Sequence, residues 1–347
     1  MRIEKFTNLY RDVTKEGTKI PQEKYCLTGQ FPIVDQGQRV IAGWWNDDAG
    51  IFKNVPAIIF GDHTRAIKYM EQPFFIGADG VKILRPTNIK DNPKYLYYAL
   101  QAAKIPNLGY SRHFKVVKEL QICIYSRDEQ NEIVRVLEKI DYLIEQRHAE
   151  TTYLDQLVKS RFIELFGDYD LTHPQESWVT IKEIGTVVGG ATPKTDHDEY
   201  WGGSYRWITP AELDGDSGYI YDSVRKLTKA GVESCSLQEM PVGTVILSSR
   251  APIGKVAIAG NTFYCNQGFK NIICKEGITP RYLYTVLLLN VEYLNSLGRG
   301  ATFKEISKGI VESIRIPVPS MELQQQFAAF VEQTDKSKLC GKMEVAA

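Results

Sequence analysis

YLYYAL at 95–100 and YLYTVL at 282–287 are two versions of one text, and what surrounds them decides the fold. Downstream of the first lie LGYSRHFK (108–115) and DEQNEIVRVLEKID (128–141). Downstream of the second lie LGRGATFK (297–304) and MELQQQFAAFVEQTD (321–335). Upstream, GADGVKIL (77–84) corresponds to CNQGFKNI (265–272). Tyr95 therefore aligns with Tyr282, and Phe114 with Phe303. The period of about 190 residues is too long for a solenoid repeat and marks a duplicated domain, each copy followed by a helix. With 347 residues, 43% of them hydrophobic, the chain can bury one core in each half.

The resulting expectation is an α+β chain of two similar mixed α/β modules joined by long helices. The first module covers 1–127, where AIIF (57–60), FFI (74–76) and VKIL (81–84) read as strands between turn residues. Asn92-Pro93 opens a helix, Asn as N-cap and Pro at the first position, and Thr279-Pro280 opens its counterpart. Asn-Pro-Lys-Tyr at 92–95 has some likeness to an adenine methyltransferase motif, but it lacks the second proline, and its repeat explains it as a cap.

A central helix is expected over 128–168. Ile133, Leu137, Ile140, Ile144, Leu154, Val158 and Leu165 keep a 4-3 spacing, the seam of a coiled coil with polar breaks. From Asp128 to Phe166 it would extend roughly 58 Å at the α-helical rise. Gly167 ends it, and the polar DYDLTHPQES leads into the second module, 169–320. VILSS (245–249), KVAIA (255–259) and FKNIIC (269–274) read as its strands. A distal helix over 321–347 carries Leu323, Phe327, Phe330 and Val331, and its apolar pattern fades near Lys338. It is thus expected to be much shorter than the central one.

The net charge of zero is unevenly spread. Residues 1–128 hold 19 Lys+Arg against 13 Asp+Glu, whereas 129–176 hold 5 against 11. Basic modules on an acidic spacer suit a phosphate-binding surface on the modules, with the helix turned away. No apolar run approaches the roughly 18 residues of a membrane span, and MRIEKFTNLYRDV lacks the apolar stretch of a signal peptide. The six cysteines (Cys26, Cys123, Cys235, Cys265, Cys274, Cys340) form no CxxC pair, which fits a reducing cytoplasm.

Motifs for chemistry are missing. There is no ordered Gly-rich phosphate loop, no Walker lysine and no HExxH. TDHDEY (195–200) is acidic enough for a cation, yet sits in a polar loop, and Asp62-His63 lacks a nucleophile. What remains is a set of loops mixing cations, amides and hydroxyls. In the first module, GDHTRAIK (61–68) offers His63, Thr64, Arg65 and Lys68. GYSRHFK (109–115) adds Ser111, Arg112, His113 and Lys115. In the second, TPK (192–194) offers Thr192 and Lys194, and SSRAPIGK (248–255) offers Ser249, Arg250 and Lys255. CNQGFK (265–270) offers Asn266, Gln267 and Lys270, and GRGATFK (298–304) offers Arg299, Thr302 and Lys304. Arg and Lys bind guanine edges or phosphates, Asn and Gln read adenine, and small hydroxyls reach either.

Taken together, GDHT…FFIGADGVKIL…GYSRHFK and SSRAPIGKVAIA…CNQGFKNI…GRGATFKEIS…IRIPVPS, each followed by a Glu/Gln-rich helix start, carry a resemblance. LVKSRFIELFGD before Trp178 adds to it. The chain resembles the specificity subunits of Type I restriction-modification systems over essentially its whole length. The resemblance implies two target-recognition domains joined by helices that pack as an antiparallel coiled coil. Each domain would read one half of a bipartite, asymmetric site in double-stranded DNA. The helices would set the spacer and dock two methyltransferase (modification) subunits, through Ile133, Leu137, Ile140, Ile144, Leu154, Leu157, Phe327 and Phe330. The chain itself would be non-catalytic and hold no cofactor or metal. S-adenosylmethionine, ATP and Mg would belong to the modification and the restriction/translocase subunits. A cytoplasmic protein without membrane contact is expected. The competing reading is a single-chain metal-dependent nuclease, with 195–200 as its metal loop, or a fused restriction-methylation enzyme fragment.

Overall fold

The structure is a computed structural model. It describes the chain apart from residues 78, 214–217, 236, 301–303 and 347, and apart from the side chains of 340–346. Two compact units emerge, Met1–Glu145 and Gln146–Ala347, and the division falls inside the central helix Arg127–Phe166.

In the first unit, a four-stranded antiparallel sheet has the order Tyr10–Asp12, Val81–Pro86, Ala57–Gly61, Ile67–Met70. Ala57–Gly61 is buried on both faces, which is why it reads as a continuous apolar run rather than an alternating one. Ile58 and Phe60 face one core with Leu84, Tyr95, Leu96 and Leu100. Ala57 and Ile59 face another with Val34, Phe74 and Ile83. A three-stranded sheet sets Phe31–Val34 between Gly43–Trp45 and Phe75–Ile76, parallel to the latter. Arg2–Lys5 pairs antiparallel with Gln121–Ile124.

The second unit repeats this plan. Gly185–Gly189, Lys270–Cys274, Val245–Leu247 and Val256–Ala259 stand in the order of the first four-stranded sheet. A fifth strand, Tyr219–Ile220, adds parallel to Val256–Ala259. Trp201–Ile208 lies between Arg225–Leu227 and Tyr264–Cys265, again parallel to the latter. Val179–Thr180 pairs with Arg315–Ile316 as the two ends of the first unit do.

The duplicated helices are Pro93–Ala102 and Pro280–Leu289, each with proline in its first turn. Asn92 Oδ1 accepts from the N–H groups of Lys94 and Tyr95 at 2.9 and 3.3 Å, and Thr279 Oγ1 accepts from Tyr282 N–H at 3.4 Å. Each start is tied to a spacer helix by a buried glutamine. Gln130 Oε1 accepts from Asn92 N–H at 2.7 Å while its Nε2 donates to Tyr125 O and Asp91 Oδ1. Gln324 Oε1 accepts from Thr279 N–H at 2.7 Å while its Nε2 donates to Gly277 O and Pro319 O. Tyr95 and Tyr282 also match: their hydroxyls donate to Cys123 O and Pro317 O.

Within the second unit, Asp155 meets Lys338, Arg161 lies over Phe330, and Phe162 packs on Phe327. Numbers rise on one helix as they fall on the other, so the two run antiparallel there. Phe162 and Phe166 both pack on Tyr282, with ring centroids 5.7 and 4.9 Å away. The distal helix is Met321–Ala346, continuing past Lys338, where the apolar pattern fades. No helix among the described residues is long and apolar enough to cross a membrane.

Candidate nucleic-acid interface

Both units build the same loop junction at the end of an inner strand. In the first, Asp62 N–H donates to Gly80 O at 2.7 Å, and His113 N–H donates to Asp62 O at 2.8 Å. In the second, Ser249 N–H donates to Gly268 O at 2.7 Å, and Ile306 N–H donates to Ser249 O at 2.9 Å. Asp62 and Ser249 are thus equivalent, as are Gly80 and Gly268, in the register the sequence suggests. His113 and Ile306, both fully buried, occupy matching places. This corrects the pairing of Phe114 with Phe303. The short helix Phe114–Val117 follows His113 directly, and its counterpart Lys308–Ser313 follows Ile306 by one residue. The second loop is longer, and the two-letter match Phe-Lys was too short to reveal it. Phe303 and Thr302 lie outside the described residues.

The junction separates the candidates of the first unit. His113 is an interior residue and leaves the set of readers: its Nδ1 donates to Asp62 O at 2.9 Å, and its Nε2 accepts from Leu108 N–H at 3.1 Å. Lys68 is likewise internal, donating to Asp35 O at 2.7 Å. Burial lowers its pKa against the pull of Asp35. Thr64 Oγ1 donates to Gln36 O, and Arg65 Nη1 donates to Ile105 O at 3.3 Å. Ser111, Arg112 and Lys115 are exposed. Beside them His63, half-buried, stacks on Tyr110, a residue 94% exposed. The sequence pointed to His63 but not to Tyr110, although an aromatic in a Gly-Tyr-Ser-Arg loop was the available signal.

In the second unit the candidate loops converge. A cavity of about 580 Å³ is lined by Arg250, Lys255, Asn266 and Gln267 together with Thr209 and Pro210. A cavity of about 430 Å³ is lined by Arg250, Ala251, Lys304 and Glu305. Thr192 Oγ1 donates to Gln267 Oε1, and Lys255 Nζ donates to Pro210 O at 3.3 Å. Ser249 is buried, 3.4 Å from Lys270 Nζ. Lys194 and Arg299 are exposed. Glu305, which sequence reading passed over, accepts from Arg250 Nε at 3.0 Å and Lys270 Nζ at 3.1 Å. Burial alone would raise its pKa; the bonds from Lys270 and Arg250 outweigh that and hold it below the usual carboxylate range.

The helix residues divide similarly. Ile133 and Leu137 pack on the first unit's core, Phe327 is fully buried in the second's, and Leu154 and Phe330 are half-buried. Ile140, Ile144 and Leu157 are exposed, as are Val136 and Leu143. In the acidic stretch, His197 Nδ1 lies 2.7 Å from Glu199 Oε1. Among the described residues no three His, Cys, Asp or Glu gather into a metal site, and the five described cysteines are free.

Known proteins share this architecture. The family described as Type I restriction modification DNA specificity domain matches residues 10–153 and 176–341, one stretch for each copy. The Escherichia coli Type I restriction enzyme EcoR124I/EcoR124II specificity subunit is 26% identical over 91% of this chain and 82% of its own length. The Methanocaldococcus jannaschii Type I restriction enzyme MjaIX specificity subunit is 43% identical over 185 residues. That match takes in 52% of this chain and 43% of the relative. A solved Type I restriction-modification system S subunit from M. genitalium has the same fold, with a TM-score of 0.60 at 16% identity over 99% of this chain and 92% of that one. The chain therefore belongs to the Type I restriction modification DNA specificity domain family. It is a specificity subunit of the Type I restriction-modification class.

Proposed function

We propose that each unit reads one half of a bipartite, asymmetric site in double-stranded DNA, and that the spacer helices set the distance between halves. The observation that carries this reading is the loop junction built twice with different side chains. Asp62 and Ser249 hold the same backbone bonds. The surfaces beside them differ: His63, Tyr110 and Arg112 in one unit, Arg250, Asn266 and Gln267 in the other. A repeated scaffold with divergent surfaces suits two readers of different bases.

The helices dock two modification subunits on this reading. Val136, Ile140 and Leu143 are exposed at i, i+4 and i+7 of the central helix, the spacing a partner helix covers. Methylation and cleavage, with S-adenosylmethionine, ATP and Mg, belong to the modification and restriction/translocase subunits, and this chain supplies the address. Mapping methylated adenines genome-wide with and without the chain tests the proposal. The expected result is one divided motif that disappears with the chain; an unchanged map overturns it. Footprinting of the assembled methyltransferase is expected to show two protected patches about 34–36 Å apart, one turn of duplex.

A further inference from the structure

Glu305 sits where three segments of the second unit meet. Its N–H donates to Arg299 O at 3.0 Å, and its C=O accepts from Arg299 N–H at 3.1 Å. The next residue, Ile306, is bonded to Ser249. The backbone is thus held at Glu305 and at Ile306, and the carboxylate meets Arg250 through Oε2 and Lys270 through Oε1. Arg250 is about half exposed and borders both cavities, whereas the Lys270 side chain is largely buried.

A guanidinium is a planar fork, and a carboxylate on its Nε edge fixes the plane in which the remaining donors lie. A bidentate guanine contact needs that plane to be set in advance, because a freely rotating arginine binds any phosphate in reach. The same carboxylate offsets two positive charges that would otherwise add sequence-independent grip on the DNA backbone.

We propose that Glu305 is a specificity-determining residue that orients Arg250 toward a guanine edge and withholds the Arg250 and Lys270 charges from backbone phosphates. The inference rests on the DNA-recognition reading above and adds a residue and a division of labour to it.

The test uses the full chain assembled with its modification subunits. Binding is measured across a salt series on the duplex found by methylation mapping, on versions with single G·C pairs replaced in the second half-site, and on an unrelated duplex. Glu305→Ala is expected to tighten binding to the unrelated duplex and to steepen the log–log salt dependence by about one. It is also expected to lose about tenfold in discrimination at one G·C pair. Glu305→Gln keeps an acceptor for Arg250 without the charge, so it should show the steeper salt dependence yet retain most of the discrimination. A misfolded unit would not produce that split. Arg250→Ala should lose discrimination at the same pair. If it does while Glu305→Ala behaves as the unaltered protein, the role of Glu305 is overturned and the reading of the loops stands. If Arg250→Ala and Glu305→Ala both match the unaltered protein on every duplex, the assignment of these loops to DNA fails.

Discussion

The first unit closes its loop junction with buried bonds, and the second closes the equivalent place with ions near the surface. Asp62, 4% exposed, uses Oδ1 to hold Phe114 N–H at 2.7 Å, and its carbonyl takes both His113 N–H and His113 Nδ1–H. Ser249 makes the same backbone bonds, but the charge sits one residue on, in the triangle of Arg250, Lys270 and Glu305. One backbone scaffold thus tolerates two ways of fixing a loop. The buried way leaves the exposed candidates, Tyr110 and Arg112, outside the junction. The ionic way leaves Arg250 partly exposed, so on the proposed reading fixing and recognition share the same side chain.

The two ends of the central helix differ in the same spirit, and the largest expected effect lies there. In the first unit the helix is seated by aliphatic residues, Ile133, Val134 and Leu137. In the second, Phe162 touches Phe166, Tyr282 and Phe327. Phe162→Ala is expected to destabilise the second unit by about 3–5 kcal/mol, against about 2 kcal/mol for Val134→Ala in the first. Urea unfolding monitored separately for each unit reads this. Equal losses would break the contrast.

Next comes the junction itself. Asp62→Ala strands the buried N–H of Phe114, so a loss of about 2 kcal/mol is expected. Ser249→Ala removes only a long bond to a lysine that Glu305 also holds, and a loss under about 1 kcal/mol is expected. Thermal or urea denaturation of the single variants gives the comparison; a larger loss for Ser249→Ala would reverse it.

What the sequence could show of this follows from how far apart the partners are. The caps at Asn92 and Thr279 and the doubly buried run AIIF are local patterns, so they were legible. Gln130 and Gln324 were not. Each looks like a solvated residue of a polar helix start, and its partner backbone lies 38 or 45 residues away. Asp62 and Glu305 were hidden for the same reason, with partners 52 and 55 residues distant. The loops of the second unit were legible as a group because each sets a cation beside hydroxyls or amides. Which residues are interior was not, since His113 and Arg112 are neighbours in sequence and opposite in burial.

On DNA, the two units are expected to separate. Arg250→Ala should cost about 1–2 kcal/mol of discrimination in one half-site, and Arg112→Ala a similar amount in the other. Binding of the assembled complex to duplexes altered in one half at a time measures both. A uniform loss on all duplexes, with a shallower salt dependence, would make either arginine a phosphate contact instead.

The smallest effect is a flat line. Glu305 is held below the usual carboxylate range by Lys270 and Arg250. A group with a depressed folded pKa keeps its contribution above the unfolded value and loses it only as pH falls through the folded one. Its hold on Arg250 is therefore complete at neutral and mildly acidic pH. The difference in salt dependence between the unaltered protein and Glu305→Gln should stay constant from about pH 5 to 8, since the folded carboxyl is held below its ordinary range. The Gln variant carries no carboxyl at this position, so it provides the reference. Measuring that difference across the range cancels titrations common to both proteins. A difference that vanishes at the acidic end would mean that Glu305 titrates well above where its partners should hold it, and that Arg250, Lys270 and Glu305 do not meet as described.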